Sequence, residues 1–476
     1  MTKCTTTTTS KSSPQVAMVT PCYMGRDGVG NTIRDYLNAL SKWQWPTHLY
    51  HCHRGLEVEG ITSHCVDMAN LLLQLMNKEE SSLFSHSLYV YQYVFHYPLL
   101  DTMAAIDKGR VIVEYHGITP PKFFPPEDPY HEMAKDILSR HEILDYADAI
   151  VVHSQSMKVE FLELHPFPKE RIHLLPLGVD RRYNKGVRKK ELVERYSPTG
   201  GPLLLYVGRL SGNKRVDLLI DMLSLVKISH PNATLVLLGA HERTTTSVYY
   251  KELESKIKKA SLAGDVHFLS NVSDDELPDY YRSASLFVTA SEHEGFCIPV
   301  AEAMSCATPC VVANVSATPE TMGAGGLTFT AGSAEDMAQK VCLALEADRL
   351  SQLQSAALRQ SEKYSAENFQ KRLKVLFSSV EEKERRERPP LQRQTALLKA
   401  AARSYFYYED KQQGTTVGDA ITWLRRKLTL PCEASLVRSQ RDKQSLVNEL
   451  LCQELAALQK EVEELAQKIE QKDKAH

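Results

Sequence analysis

The segment Glu294-Gly-Phe-Cys-Ile-Pro-Val-Ala-Glu302-Ala-Met sets two carboxylates on either side of a proline. An apolar run, Leu286–Ala290, precedes it, and a helical pattern follows. The segment therefore reads as a strand end, a loop and the start of a helix. Pro299 falls in the first helical turn, where a fixed φ and a missing N–H suit the chain. A helix start offers free N–H groups and the positive end of the peptide dipole, both suited to a diphosphate. Glu294 in the loop and Glu302 in the first turns could accept hydrogen bonds from sugar and ribose hydroxyls. A plain alternative stays open, in which Glu302 complements the dipole and Glu294 is a surface residue. A second segment, Gly208-Arg209-Leu-Ser-Gly-Asn-Lys214, follows the apolar run Leu203–Val207. A guanidinium fork and an ammonium on such a loop suit a leaving diphosphate, whose charge grows as a glycosidic bond breaks.

The first half of the chain has its own candidates. Gly25-Arg26-Asp27-Gly28-Val29-Gly30 links a strand to a helix, and glycines let backbone approach a phosphate closely. Gly28 and Gly30 are the candidates for the phosphate side. His116 follows another strand, in Glu114-Tyr-His-Gly-Ile-Thr-Pro-Pro121, and a lone strand-end histidine is as readily structural. Tyr93, His96 and Tyr97 lie at the preceding strand end, where they could line an acceptor pocket or belong to the core. No carboxylates are spaced as the nucleophile and acid of a retaining hydrolase. No Asp-x-Asp stands at a strand end, and the triplet His51-Cys52-His53 alternates faces if extended, so no metal site is expected.

These residues need elements to hold them. Strands are expected at Val16–Thr20, Leu88–Val94, Val111–Tyr115 and Ala149–His153, with a helix at Asn31–Leu40. After a polar, basic stretch at 184–201, read as a linker, a second alternation begins. Its strands are Leu203–Val207, Thr234–Leu238, Val266–Leu269, Leu286–Ala290 and Cys310–Ala313, with a helix at Val216–Ile228. Strands separated by helices imply parallel sheets covered on both faces. The expected organisation is an α/β chain with two doubly wound, Rossmann-like domains, 14–183 and 202–364, facing a cleft. Ligands bind such sheets at the carboxyl ends of the strands. A C-terminal helix at 365–385 would cross back to the first domain, and a helical extension at 386–476 would follow.

The residues so placed resemble the retaining GT-B glycosyltransferases of family 4. The likeness rests on Gly208-Arg209-Leu210, Lys214, Glu294-Gly295-Phe296, Pro299, Glu302-Ala303-Met304 and Thr308-Pro309, and on Pro176-Leu-Gly-Val-Asp180 between the domains. It runs from about Val16 to Val380. The resemblance implies that Arg209 and Lys214 hold the donor diphosphate, Glu294 the donor sugar and Glu302 the ribose. Gly208, Gly295, Phe296, Cys297 and Ile298 would complete the donor wall, and His116 would face the sugar. It also implies a retaining transfer with no metal or other cofactor. The donor would be a GDP- or UDP-sugar, of mannose or glucose, and the departing diphosphate would take the acceptor proton. Two departures stand out: Cys297 where the family has a glycine, and Ser270-Asn271 where a glycine usually precedes the base-binding loop. Other readings on the same architecture are a phosphorylase, an epimerase, or a non-catalytic scaffold acting through its C-terminal helix.

The 476 residues allow two or three domains, and 43% hydrophobic with 24% charged residues is ordinary for a globular protein. A net charge of −2 argues against nucleic acid as a partner. Ten scattered cysteines without CxxC spacing fit reduced thiols and a cytoplasmic setting. The Thr/Ser-rich residues 1–13 read as a disordered tail rather than a signal. Leu451, Leu455, Leu458, Val462, Leu465 and Ile469 follow a/d spacing, so 444–472 is expected to form a short coiled coil for self-association or a partner helix. The acceptor is expected to be a glycan, a glycolipid or a lipid-linked precursor. Peripheral membrane contact could come from Arg425-Arg426-Lys427 beside Trp423.

Overall fold

The computed structural model describes residues 13–388, apart from 23–27, 53–60, 67–70, 72–73, 75–80, 127, 240–247 and 271. The N-terminal tail up to residue 12, Gly25-Arg26-Asp27, His53, Asn271, the basic run near Trp423 and the heptads at 444–472 lie outside the described residues. Among the described residues the chain forms two parallel sheets. The first is built from β1 (Val16–Thr20), β2 (Thr47–His51), β3 (Thr62–Cys65), β4 (Leu88–Tyr93), β5 (Arg110–Tyr115), β6 (Ala149–Val152) and β7 (Ile172–Leu174), in the order β3-β2-β1-β4-β5-β6-β7. The second is built from β8 (Leu203–Val207), β9 (Thr234–Leu238), β10 (Val266–Leu269), β11 (Leu286–Thr289), β12 (Cys310–Ala313) and β13 (Gly326–Phe329), in the order β10-β9-β8-β11-β12-β13.

In both domains the opening strand is central. The chain winds out to one side, then returns to the other. The switch between β1 and β4, and between β8 and β11, leaves a crevice at the carboxyl ends of those strands. Apolar runs such as Val-Ala-Met-Val in β1 are buried throughout, as a sheet covered by helices on both faces requires. The strands β2, β3, β7 and β13 went unpredicted. β2 and β3 read Thr-His-Leu-Tyr-His and Thr-Ser-His-Cys, polar because β3 is a partly exposed edge. β13 is a short Gly-Leu-Thr-Phe run.

The stretch at 184–201 is more than a linker. It contains a helix, Lys190–Tyr196, whose Tyr196 is buried in the second domain's core. The two domains meet again at a second crossing, where Val179 N–H donates to the Tyr364 carbonyl at 2.7 Å. The helix Ala366–Glu382 then packs on the first domain. Its Phe369, Leu373, Leu376, Phe377 and Val380 share a buried cluster with Ile33, Tyr36 and Leu40. Phe369 meets Tyr36 edge-on at 5.6 Å, and Phe377 stacks on Trp45 at 5.9 Å. Beyond it, Arg386 and Arg388 pair with Asp145 and Asp148 at the amino end of β6, away from the cleft. No helix among the described residues is long and apolar enough to cross a membrane.

Candidate active site

On the second domain, β11 ends at Thr289 and a loop leads to the helix Ile298–Ser305. Glu294 lies in that loop, and its carboxylate accepts from Lys214 Nζ at 2.5 Å, both side chains being largely buried. Lys214 comes from the loop after β8. Ser316 fixes the backbone of Glu294 twice, its hydroxyl accepting from the Glu294 N–H at 2.9 Å and donating to the Glu294 carbonyl at 2.7 Å. Gly295 is needed for space: a Cβ there would run into the Met157 methyl group and come within 2.7 Å of the His116 carbonyl oxygen. Gly208 lies against the Tyr206 ring, whose hydroxyl would be 2.8 Å from an added Cβ. That hydroxyl donates to the Arg209 carbonyl at 2.8 Å.

Cys297 caps the helix at φ 69°, ψ 70°, in the left-handed region that favours glycine. Its thiol is buried, and burial pushes its pKa well up. Phe296 is buried edge-on against Tyr364, with ring centroids 5.1 Å apart. Glu302 is buried one turn into the helix, where it accepts from the Tyr281 hydroxyl at 2.8 Å and lies beside Tyr183. Burial raises its pKa, while the two tyrosines act the other way. Arg209 is placed differently from Lys214: its guanidinium lies over the ring of Tyr130, 5.4 Å from the centroid, on the opposite domain.

The first domain faces this wall with the helix Gly28–Lys42. Gly28 opens that helix, and a Cβ on it would lie 3.9 Å from Ile298 Cδ1. Two helix N-termini therefore confront each other across the cleft. Gly30 is buried one step further in. His116 is half-buried at the end of β5, with Nε2 2.6 Å from Gln92 Oε1. Burial, with His153 as a lesser cause, holds its pKa well below the usual range, so the ring is neutral. The three acceptor-side candidates do not reach the cleft as free groups. Tyr93 and Tyr97 are fully buried, donating to the Ile137 carbonyl and to the Val19 and Gln92 carbonyls. His96 is engaged by Asp101 at 3.3 Å.

Several ties cross the cleft, among them Thr119 Oγ1 with His293 Nδ1 at 3.3 Å and Arg34 with Asp274 at 3.5 Å. His293 Nε2 is 2.9 Å from Glu160 Oε2, the Ser154 hydroxyl donates to the Gly295 carbonyl at 2.8 Å, and Glu320 accepts from the Gln155 N–H at 2.8 Å. The last caps the helix Gln155–Leu164 with a carboxylate from the other domain. Burial pushes the Glu160 carboxyl up, but His293, the Tyr115 hydroxyl and the Ile118 N–H more than reverse this and hold it below the usual range. Ser316, Tyr281, Tyr183 and Gln92 were not singled out from the sequence. For Gln92 a signal existed: it is an amide inside an otherwise apolar strand.

Two facing doubly wound sheets, with a polar cleft at their carboxyl edges, are the architecture of a GT-B glycosyltransferase. Residues 26–183 match the family described as Glycosyltransferase Family 4, and residues 187–363 the family described as Glycosyl transferases group 1. The chain belongs to this family of glycosyltransferases. An O-antigen chain mannosyltransferase B of Escherichia coli is 26% identical over 282 residues, 58% of this chain and 71% of that protein. A mannosylfructose-phosphate synthase of Agrobacterium fabrum is 31% identical over 179 residues, 36% of this chain and 39% of that protein, less than half its length. The crystal structure of Anabaena HepE in complex with UDP and glucose superposes with a TM-score of 0.63 at 18% identity, covering 77% of this chain and 100% of that one. At that identity the likeness is one of fold.

Proposed function

We propose that the cleft binds a nucleotide-diphosphate sugar and transfers its hexose, with retention of anomeric configuration, to a hydroxyl of a glycan or lipid-linked acceptor. The observation that carries this reading is the confrontation of the N-termini at Gly28 and Ile298 beside the Lys214–Glu294 pair. Two helix N-termini and an ammonium converge where a diphosphate would lie. Glu294, positioned by Lys214 and Ser316, is suited to sugar hydroxyls, and Glu302 to the ribose. Arg209 stands on the same loop as Lys214, with its guanidinium over the Tyr130 ring.

In the proposed reaction the bond from the anomeric carbon to the diphosphate oxygen breaks, and its electron pair leaves with the diphosphate. The acceptor oxygen bonds the same carbon from the same face, and its proton passes to the departing diphosphate. Lys214 and Arg209 stabilise the charge that accumulates there. The relatives, a mannosyltransferase and a mannosylfructose-phosphate synthase, support a mannosyl donor. The solved likeness holds UDP and glucose, so GDP-mannose and UDP-glucose head the panel to be tried. Full-length protein incubated with labelled nucleotide sugars should release nucleotide diphosphate from one of them. Arg209→Ala combined with Lys214→Ala should abolish that release. Full activity in the double variant would overturn the assignment.

A further inference from the structure

Behind His116 the first sheet carries polar side chains where a parallel sheet is otherwise apolar. Gln92 on β4 and Glu114 on β5 are register partners, and Glu114 pairs in turn with Val151 on β6. His116 and His153, each two residues on, occupy the next rung of the same face, nearer the cleft. Gln92 and Glu114 are fully buried and His153 is 2% exposed. The groups facing Glu114 are Tyr36 and Asp35 from the helix Gly28–Lys42, Gln92 from β4 and His153 from the end of β6. Asp35 is itself pushed up to about 7 by burial. None of these groups supplies a positive charge.

The proton positions follow from partners that have one option only. The Leu175 carbonyl can only accept, so His153 Nδ1, 3.0 Å away, carries a proton. Burial lowers His153 to about 4, so the ring is neutral and its Nε2 is a lone pair. That lone pair faces Glu114 Oε1 at 3.6 Å; neither atom has a partner within 3.5 Å among the described residues, and the Tyr36 hydroxyl, which also faces the Glu114 carboxyl, does not serve His153 Nε2. Two buried acceptors facing each other need a proton between them. Burial pushes Glu114 up to about 8, so a neutral acid can provide it from Oε1. Glu114 Oε2 then accepts from Gln92 Nε2 at 3.3 Å, which turns Gln92 Oε1 toward His116 Nε2 at 2.6 Å. That oxygen can only accept. His116, being neutral, therefore keeps its one ring proton on Nε2, and its Nδ1 makes no hydrogen bond among the described residues.

We propose that Glu114, Gln92 and His153 form an uncharged hydrogen-bond chain that fixes His116 as the Nε2–H tautomer, so that Nδ1 accepts a hydrogen bond from a hydroxyl of the transferred sugar. This rests on the reading of the cleft as a donor site. Gln92 and Glu114 are positioning residues that never touch the sugar. The device selects a donor with a hydroxyl at that place, and a deoxy analogue leaves Nδ1 unpaired.

Glu114→Gln is the discriminating variant. A glutamine keeps an N–H for His153 and a carbonyl for Gln92, whereas a carboxylate that acted through its charge would be lost. Nitrogen-15 spectra of full-length, histidine-labelled protein, with the His116 signal assigned by its loss in His116→Gln, should show the proton on Nε2 in both wild type and Glu114→Gln. Glu114→Gln should keep kcat within about threefold, while Gln92→Leu should lower kcat about ten- to a hundredfold. Calorimetric affinity for UDP or GDP should be unchanged in both. A proton on Nδ1, or a loss in Glu114→Gln as large as in Gln92→Leu, overturns the proposal. If wild-type protein bound neither nucleotide, the donor reading would fail on its own account, and the tautomer measurement would still decide the hydrogen-bond chain.

Discussion

Cys297 shows how a single backbone angle constrains the site. At φ 69° a side chain costs about 1–2 kcal/mol, more if branched at Cβ. Cys297→Gly relieves that cost and loses only a small buried group, so its unfolding free energy should stay within about 1 kcal/mol of wild type. Cys297→Val should lose about 2 kcal/mol or more in the same denaturant titration. Equal stability of the two variants would contradict the left-handed cap. Glu302 gives a second test. Removing the Tyr281 hydroxyl leaves a buried carboxylate short of a donor. Tyr281→Phe should therefore weaken calorimetric binding of the nucleotide diphosphate about tenfold, and an unchanged affinity would detach Glu302 from the nucleotide. The proposed donor-site residues Glu294, Glu302, Arg209 and Lys214 could be picked out as candidates because each stands in a short segment next to a strand. Their supports could not. Tyr183, Tyr281 and Ser316 arrive from other parts of the chain, and no local spacing announces them.

Among elements, the apolar strands of both sheets were readable because parallel sheets demand continuous hydrophobic runs, while β3, an exposed polar edge, and β2 beside it, with its two histidines, were not. The polar interruptions at Gln92 and Glu114 were visible but carried no meaning until the register put them side by side. Glu114 makes the sheet's stability depend on pH. Its pKa is about 8 when folded and near 4.5 when the chain is open. The folded state therefore holds the proton more tightly. That contribution is complete below pH 4.5 and is lost as pH rises toward and through about 8. An amide at this position cannot ionise, so the melting temperature of Glu114→Gln should gain on wild type steadily across that window. A constant offset would mean Glu114 is ionised throughout. The helix Ala366–Glu382 carries a larger consequence. It fills the first domain's core with five apolar side chains, each worth about 1.5–3 kcal/mol when buried. Their sum rivals the whole stability of a domain. Truncation after Tyr364 should therefore cost the first domain its cooperative unfolding transition in calorimetry, although every strand of its sheet remains.

At the scale of the whole molecule, the domains touch at the crossing of Val179 and Tyr364 and through ties across the cleft, among them His293–Glu160, Ser154–Gly295 and Glu320–Gln155. The Val179–Tyr364 contact lies where the chain crosses between domains, whereas the ties span the mouth of the cleft, so widening the cleft would break the ties first. Interactions made in one state and absent from the other are what set a conformational equilibrium. Each tie is partly exposed and contributes about 1 kcal/mol, roughly a fivefold bias toward closure. His293→Ala with Glu320→Ala removes two of them and touches neither Lys214, Arg209 nor the Gly28–Ile298 gap. The double variant should show a larger radius of gyration by X-ray scattering without ligand. Saturating nucleotide diphosphate should restore the compact value, because the phosphate contacts from both domains supply the lost bias. Donor KM should rise while kcat stays near wild type, since a closed, occupied cleft is chemically intact. An unchanged radius would show that the His293 and Glu320 ties do not set the angle between the domains.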